Sequence, residues 1–391
     1  MLNRVIWIIL DSAGIGELPD ADKFGDEGAD TFGHIYESKE GFGLPNLEKL
    51  GIGNIQGVNK NIRNVVNPVG IYGKAMEKSK GKDTTVGHWE MTGIITETPF
   101  KVYPNGFNEK IINKFIESSN LPGILCNKVG SGTKVIEEEY GVEHIKTKKP
   151  IVYTSADSVF QVACHTSVYS LDELYEMCEN ARKILCGDDS VARVIARPFD
   201  GNPGNFVRTS DRRDFSVKPS DSNLLKILQN NGISVTAVGK INDIFCGSGI
   251  EKAIHTTDNM DGVNKTLDEM KELEKGLIFT NLVEFDSKWG HRRNVEGYGQ
   301  GLIDFDSRLP QIIDNLRNND LLIINADHGC DPTFKGTDHT REYIPVIAYS
   351  KNCKNGVDLG ILNSFSDIGA TIAEIFGVKI SNGESFLNKI L

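Results

Sequence analysis

The chain has 391 residues, 39% hydrophobic and 25% charged, an ordinary globular composition with length for two domains or one carrying a large insertion. Its formal charge of −11, from 43 Lys and Arg against 54 Asp and Glu with no long basic tract, argues against nucleic acid as a partner. No apolar stretch approaches a membrane span, the N-terminal apolar run is too short and lacks a cleavage site for a secretory signal, and seven cysteines form no C-x-x-C pair, so the expectation is a cytoplasmic protein with no membrane partner.

The first element, Val5-Ile6-Trp7-Ile8-Ile9-Leu10, reads as a buried strand that ends at Asp11. Further on, Gly81-Lys82-Asp83-Thr84-Thr85-Val86-Gly87-His88-Trp89-Glu90 offers a candidate nucleophile. A threonine hydroxyl is weak in water, but coordination to a divalent ion lowers its pKa, and a helix N-terminus beside it would bind phosphoryl oxygens. The plainer alternative is that Thr84 or Thr85 caps a helix.

Residues 101–219 read as a smaller α+β unit inserted into a larger one, with hinges near Thr98-Pro99 and Lys218-Pro219. Ser170-Leu171-Asp172-Glu173 is a capping box that opens an amphipathic helix, and β-like runs lie at Ile151–Thr154 and Val191–Ala196. Arg193, Arg197, Arg208, Arg212 and Arg213 cluster in a turn-rich segment. Guanidinium forks match phosphate oxygens in pairs, so this segment is either a phosphate clamp or a solvated loop whose arginines pair with Asp200, Asp211 and Asp214.

From about residue 220 helices and strands alternate. A helix near Ser222–Asn231 precedes strand Ser234–Val238, a helix near Val263–Leu273 precedes strand Leu277–Phe285, and a helix from about Gln300 to Leu316 precedes strand Leu321–Asn325. A last helix starts at Ser366, taken as its N-cap, and runs to Phe376. Such alternation predicts an α/β fold, a mainly parallel sheet with helices on both faces, which the N-terminal strand joins. Residues 1–100 and 220–391 would thus form one discontinuous core domain.

Ligands in open α/β sheets collect beyond strand C-termini. There the sequence offers Asp11, then Asp286 with His291, then Asp327-His328-Gly329 with His339. A lone Asp after a strand is usually a cap or turn former, but adjacent Asp-His at one strand end and Asp-x4-His at another fit capping poorly. Three carboxylates and three imidazoles exceed what one divalent ion takes from protein, so two ions are the simpler reading.

These elements, with Tyr153-Thr154-Ser155-Ala156-Asp157-Ser158 and Gly239-Lys240-Ile241-Asn242-Asp243-Ile244-Phe245, closely resemble the phosphopentomutases of the alkaline phosphatase superfamily. The Asp-His-Gly and Asp-x4-His elements are shared across that superfamily, whereas the Lys-Asp-Thr and Gly-Lys-Ile-Asn-Asp-Ile-Phe stretches are narrower. The resemblance implies an alkaline-phosphatase-like core with an inserted cap domain that excludes water during transfer. It also implies an isomerase that interconverts α-D-ribose 1-phosphate and D-ribose 5-phosphate, and the 2-deoxyribose pair, through a phosphothreonine and a sugar bisphosphate. Carried over by position, Thr84 is the nucleophile between two Mn²⁺ ions, one held by Asp286, His291 and His339, the other by Asp11, Asp327 and His328. Arg193, Arg208 and Lys240 hold the distal phosphate and Asp157 faces the sugar. Glucose 1,6-bisphosphate or ribose 1,5-bisphosphate acts as activator. Manganese comes from the resemblance, since this ligand set also suits zinc. A metal-dependent phosphatase, a phosphoglycerate mutase-like enzyme and a non-catalytic metal-binding protein are the alternative readings.

Overall fold

The computed structural model describes residues 2–155 and 158–391. Among these residues fourteen strands follow in chain order: β1 (Arg4–Leu10), β2 (Ile71–Ala75), β3 (Leu125–Val129), β4 (Ile151–Thr154), β5 (Val159–His165), β6 (Arg193–Asn202), β7 (Asn205–Arg208), β8 (Arg213–Ser216), β9 (Val235–Val238), β10 (Lys252–Ile254), β11 (Gly276–Leu282), β12 (Asp320–Asn325), β13 (Ile344–Tyr349) and β14 (Val357–Leu362). The chain divides into two compact units, one running to Thr98 and resuming at Pro219, the other Pro99–Lys218.

The larger unit is built on an eight-stranded sheet of order β10-β9-β11-β1-β12-β13-β2-β14. The five strands from β10 to β12 are parallel, as the alternation predicts, because helical crossovers join them. β13 is antiparallel to both neighbours, so the sheet is mixed at this side. β1, β11 and β12 are buried along their whole length, which is why they read as unbroken apolar runs. Their register is pinned at the end away from the carboxylate cluster. Arg4 faces Asp320 across β1 and β12, and its Nε donates to Asp320 Oδ1 at 2.8 Å with both side chains buried.

The helix expected near Ser222 starts close to that point, at Leu224, whereas those expected near Val263 and Gln300 start about a turn earlier, at Asn259 and Val295, each behind a side-chain cap. Asn223 caps Leu224–Asn230, Asp258 caps Asn259–Glu272 and Asn294 caps Val295–Asp314. Ser366 is a correction. It lies inside the helix Ser366–Ile375, after Phe365, and its hydroxyl donates to the Glu90 carbonyl instead of capping. β11 is a second one, since it stops at Leu282 and Phe285–Gly290 form a π-helical turn.

The smaller unit has a sheet of order β3-β4-β5-β6-β7, with β8 also paired to β6. The capping box at Ser170 and Glu173 opens the helix Leu171–Ile184, which packs Leu174, Met177, Cys178 and Ala181 onto Val162, Val194 and Ala196 of the sheet. The opposite face carries Ile151, Tyr153, Ala163 and Phe199 against Val135 and Ile136.

Candidate metal centre and nucleophile

Parallel pairing sets Leu10 beside Leu282 and Ile9 beside Asn325, so β1, β11 and β12 end level and release Asp11, the turn with Asp286, and Asp327 at one edge. The π-turn explains the Asp-x4-His spacing. On an α-helix of 3.6 residues per turn, residues i and i+5 diverge, whereas the bond from His291 N to Asp286 O at 3.1 Å closes an i to i+5 turn that puts both on one side.

The six side chains converge. His328 Nε2 lies 3.3 Å from Asp327 Oδ2 and 3.5 Å from Asp11 Oδ1. His339 Nε2 and His291 Nε2 lie 3.2 and 3.4 Å from Asp286 Oδ1, and 3.0 Å from each other. Asp286, His328 and His339 form one set of closely spaced donors, and Asp11, Asp327 and His328 another. Cys330 joins Asp286 and His291 in a third, which gave no signal in the sequence.

Chemistry of the donor set fits divalent ions. Asp11 Oδ1, Asp286 Oδ1 and Asp327 Oδ2 are buried without a hydrogen-bond partner, a costly state for a carboxylate oxygen unless a cation meets it. The outer oxygens are anchored, Asp11 Oδ2 by Asn281 Nδ2 at 3.0 Å and Asp327 Oδ1 by Ser12 N at 2.9 Å. His291 Nδ1 is 2.6 Å from the Thr337 carbonyl and His328 Nδ1 is 3.1 Å from that of Gly329. Each Nδ1 therefore carries its proton outward, leaving an Nε2 lone pair for the centre. Ser12, at φ 71, adopts the left-handed conformation that turns its N–H back onto Asp327, a strain of about 1–3 kcal/mol accepted for geometry.

The electrostatics are frustrated without a cation. Burial, then the charge of Asp327, pushes Asp11 upward. Burial also works against Asp327 and Asp286, yet His328 and His88 hold the first, and His339 the second, below the usual carboxylate range. Burial opposes a charge on His328, but Asp327 and Asp11 raise its imidazole well above its ordinary value. A proton on Asp11 or His328 would compete with a metal ion for the same lone pair, so metal binding there would be linked to proton release.

Asp83, not either threonine, caps the helix Thr84–Met91, accepting from Thr85 N and Val86 N. Those two N–H groups are consumed, so the helix end offers less to a phosphoryl group than the sequence suggests. Thr84 Oγ1 stands 3.1 Å from His328 Nε2, at the cluster of candidate metal ligands. Gly87 lets the helix pack this closely, because a Cβ there would stand 2.0 Å from the Asp327 carbonyl oxygen. His88, one turn on from Thr84, sets Nδ1 2.8 Å from the Thr84 carbonyl and 3.2 Å from Asp327 Oδ2, while its Nε2 meets Asn281 Nδ2 at 3.2 Å. Asn281 and the supporting role of His88 were not anticipated.

The candidate phosphate-binding residues are spread over both units. Lys240 follows β9 at the start of the short helix Ile241–Ile244 in the larger unit. Within the smaller unit, Arg193 opens β6 and lies 3.5 Å from Asp214, which Arg212 also holds at 2.7 Å. Arg208 pairs with Phe199, six positions along β6 from Arg193, or about 20 Å at the strand rise. Arg208 lines a cavity of about 530 Å³ with Arg197, Arg212, Thr133 and Ser210, and Arg212 shares Asp214 with Arg193. In the arginine segment, Arg193 and Arg212 pair with Asp214, one of the partners the solvated-loop reading expects, and Arg197 Nε donates to Gln161 Oε1 at 3.1 Å. Asp157 lies outside the described residues.

Residues 3–380 match the Metalloenzyme superfamily. The chain is 56% identical to the phosphopentomutase of Clostridium novyi (strain NT) over 392 aligned residues, covering all of both chains. It is 55% identical to that of Alkaliphilus oremlandii (strain OhILAs), again over the full length of both. The chain belongs to the phosphopentomutase family. It is accordingly an isomerase of the phosphoryl-transferring kind, acting on small sugar phosphates, and membership of the Metalloenzyme superfamily implies divalent metal binding. Among solved structures it is similar to the PH0037 protein of Pyrococcus horikoshii, at 13% identity and a TM-score of 0.49, covering 98% of this chain and 100% of that one. Among the described residues no helix is long and apolar enough to cross a membrane.

Proposed function

We propose that the enzyme interconverts α-D-ribose 1-phosphate and D-ribose 5-phosphate, and the 2-deoxyribose pair, through a phosphothreonine at Thr84 and a sugar bisphosphate. The observation that carries this is Thr84 Oγ1, 3.1 Å from His328 Nε2 beside a cluster in which three buried carboxylate oxygens accept no hydrogen bond. Asp286, His291 and His339 would hold one divalent ion and Asp11, Asp327 and His328 the other, with manganese favoured by the family resemblance. When bound, the ions supply positive charge that favours an ionised Thr84 hydroxyl and gathers the phosphoryl oxygens.

The protein's own groups do the positioning. Asp83 fixes the first turn that carries Thr84, and His88 holds the Thr84 carbonyl beside Asp327. Arg193, Arg208, Lys240 and Asp157 would hold the distal phosphate and the sugar. The inserted unit, residues 101–219 in the sequence reading, would act as the cap that keeps water from the phosphothreonine. The site is assigned to a cytoplasmic enzyme with no nucleic-acid or membrane partner.

Ribose carries its phosphate at C1 or C5, too far apart for both ends to meet one fixed Thr84 in a single pose. The sugar monophosphate therefore binds in two orientations. Its free hydroxyl oxygen bonds to phosphorus as the Thr84 Oγ1–P bond breaks, and the hydroxyl proton passes to the departing threonine oxygen. The resulting 1,5-bisphosphate returns its other phosphate to Thr84. An enzyme without phosphate on Thr84 needs priming by a bisphosphate such as glucose 1,6-bisphosphate.

The test mixes substrate labelled in both sugar carbon and phosphate with unlabelled substrate. Singly labelled products should accumulate during turnover. If every product sugar kept its own phosphate and dephosphorylated enzyme needed no primer, intermolecular transfer would be refuted.

A further inference from the structure

Between β2 and the helix that carries Thr84, residues 76–83 have no regular secondary structure. A nucleophile on such a segment needs an outside reference. Arg341, 2% exposed, supplies one. Its Nη1 donates to the carbonyls of Ser79 at 2.9 Å and Gly81 at 2.6 Å and to Glu77 Oε2 at 2.5 Å. Nη2 donates to the Glu77 carbonyl at 3.0 Å, and Nε to Asp20 Oδ1 at 3.1 Å. An ion pair alone would need one carboxylate. Here three acceptors are alternate backbone carbonyls of the segment that leads to Thr84.

The backbone of Arg341 belongs to a segment fixed to the other loops of the site. Two residues earlier stands His339. Thr340 exchanges hydrogen bonds with Gly329, next to His328, at 2.8 and 3.2 Å. Leu18 N donates to the Arg341 carbonyl at 3.0 Å, and Ile15 N to that of Tyr343 at 2.8 Å, which fastens the loop that follows Asp11. Arg341 N donates to Asp26 Oδ2, which also takes Lys82 Nζ at 2.9 Å, and Lys82 Nζ reaches Asp338 at 3.3 Å. One short segment thus refers the metal-ligand loops and the nucleophile loop to a common frame.

We infer that Arg341 is a positioning residue for the phosphoryl transfer, its guanidinium fork setting the reach of Thr84 Oγ1 to the metal-ligand cluster. This rests on Thr84 as nucleophile. Lysine keeps the charge but presents three donors on one atom, and so cannot span carbonyls at 77, 79 and 81 together with Asp20. Misplacement of a reacting group by about 1 Å costs on the order of 100-fold, so Arg341→Lys should lower kcat by about that factor with KM within about threefold. Affinity for Mn²⁺, read by calorimetry, should stay near wild type, because the ligands keep their own backbone anchors.

Glu77→Gln is the companion variant. It removes one of the two carboxylates that face Arg341, Asp20 being the other, with little change of shape and leaves the carbonyl contacts, so its kcat should stay near wild type. A charge-pairing role predicts the reverse order, with Glu77→Gln impaired and Arg341→Lys active, and that result overturns the inference even if one variant folds poorly. Equal losses of kcat and Mn²⁺ affinity in Arg341→Lys also overturn it, since Arg341 would then support His339. Wild-type turnover of ribose 5-phosphate runs in the same assay. Its absence would refute the functional reading itself, whereas its presence beside an active Arg341→Lys refutes only the role of Arg341.

Discussion

Asp11→Asn separates the cost of the site from its use. Asp11 is fully buried, Oδ1 has no partner, and Oδ2 accepts from Asn281 Nδ2 at 3.0 Å. Asparagine matches its shape, can keep the Asn281 contact through its oxygen, and would turn its amide toward His328 Nε2, now 3.5 Å from Oδ1. Burial and Asp327 raise the Asp11 pKa in the folded chain. A carboxyl raised on folding contributes its stability below the unfolded value of about 3.9 and loses it as pH rises through the folded value. Metal-free wild type at pH 7.5 therefore carries a penalty that Asp11→Asn lacks.

The variant should be at least as stable as wild type in chelator at pH 7.5, and the ionisation penalty should fade as pH drops and be gone by about pH 3, where Asp11 is neutral in both folded and unfolded chains. Metal reverses the order. An ion at 100 times its dissociation constant stabilises a single site by about 2.7 kcal/mol, or roughly 5 °C at about 2 °C per kcal/mol for a unit of this size. Wild type should gain from both sites, and Asp11→Asn only from the site of Asp286, His291 and His339. Turnover should fall by about a thousandfold or more, equivalent to about 4 kcal/mol of transition-state stabilisation. Differential scanning fluorimetry with and without Mn²⁺, beside a coupled mutase assay, reads all three. A variant less stable than wild type in chelator, yet with the full metal-induced shift, would refute Asp11 as a ligand.

Thr84→Ala should abolish turnover and any phosphate on the tryptic peptide that contains Thr84, while Thr85→Ala stays active; the reverse pattern by kinetics and mass spectrometry would move the nucleophile to Thr85. Asp83→Ala should cost about 0.5–2 kcal/mol in denaturant unfolding, as loss of an N-cap does. It should also lower kcat by more than that stability loss explains, because the freed first turn carries Thr84. An unchanged kcat would mean the cap serves stability alone.

The strands that release the site were legible because burial on both faces removes alternation and leaves unbroken apolar runs. Where the sheet is thin or irregular the signal fades. β10 has three residues at one edge, and β14 at the other edge carries a register shift between Asp358 and Gly360. β13 carries Pro345 between two partner strands, a residue that argues against a central strand, yet it lies near the strand's start. Ser366 misled for a related reason. A serine before an apolar run is a good cap in isolation, but here the carbonyl of Glu90, 276 positions away in sequence, claims its hydroxyl.

The site divides along the same line. Ligand candidates could be read because their function needs a residue type at a strand end, which is local information. What holds them could not, because Asn281, Tyr298 and Arg341 act through partners far away in sequence. Tyr298 meets the hydroxyl of Ser12 at 3.1 Å, and nothing near either residue marks the pair. Asp286 and His291 lie between these cases. Their spacing can be read from the sequence, but it places two candidate ligands on one face only through a π-turn, and an α-helical reading of Phe285–Gly290 would have turned them apart. For the pair to act as ligands of one ion the turn is required, a backbone geometry that helix propensity alone would not select.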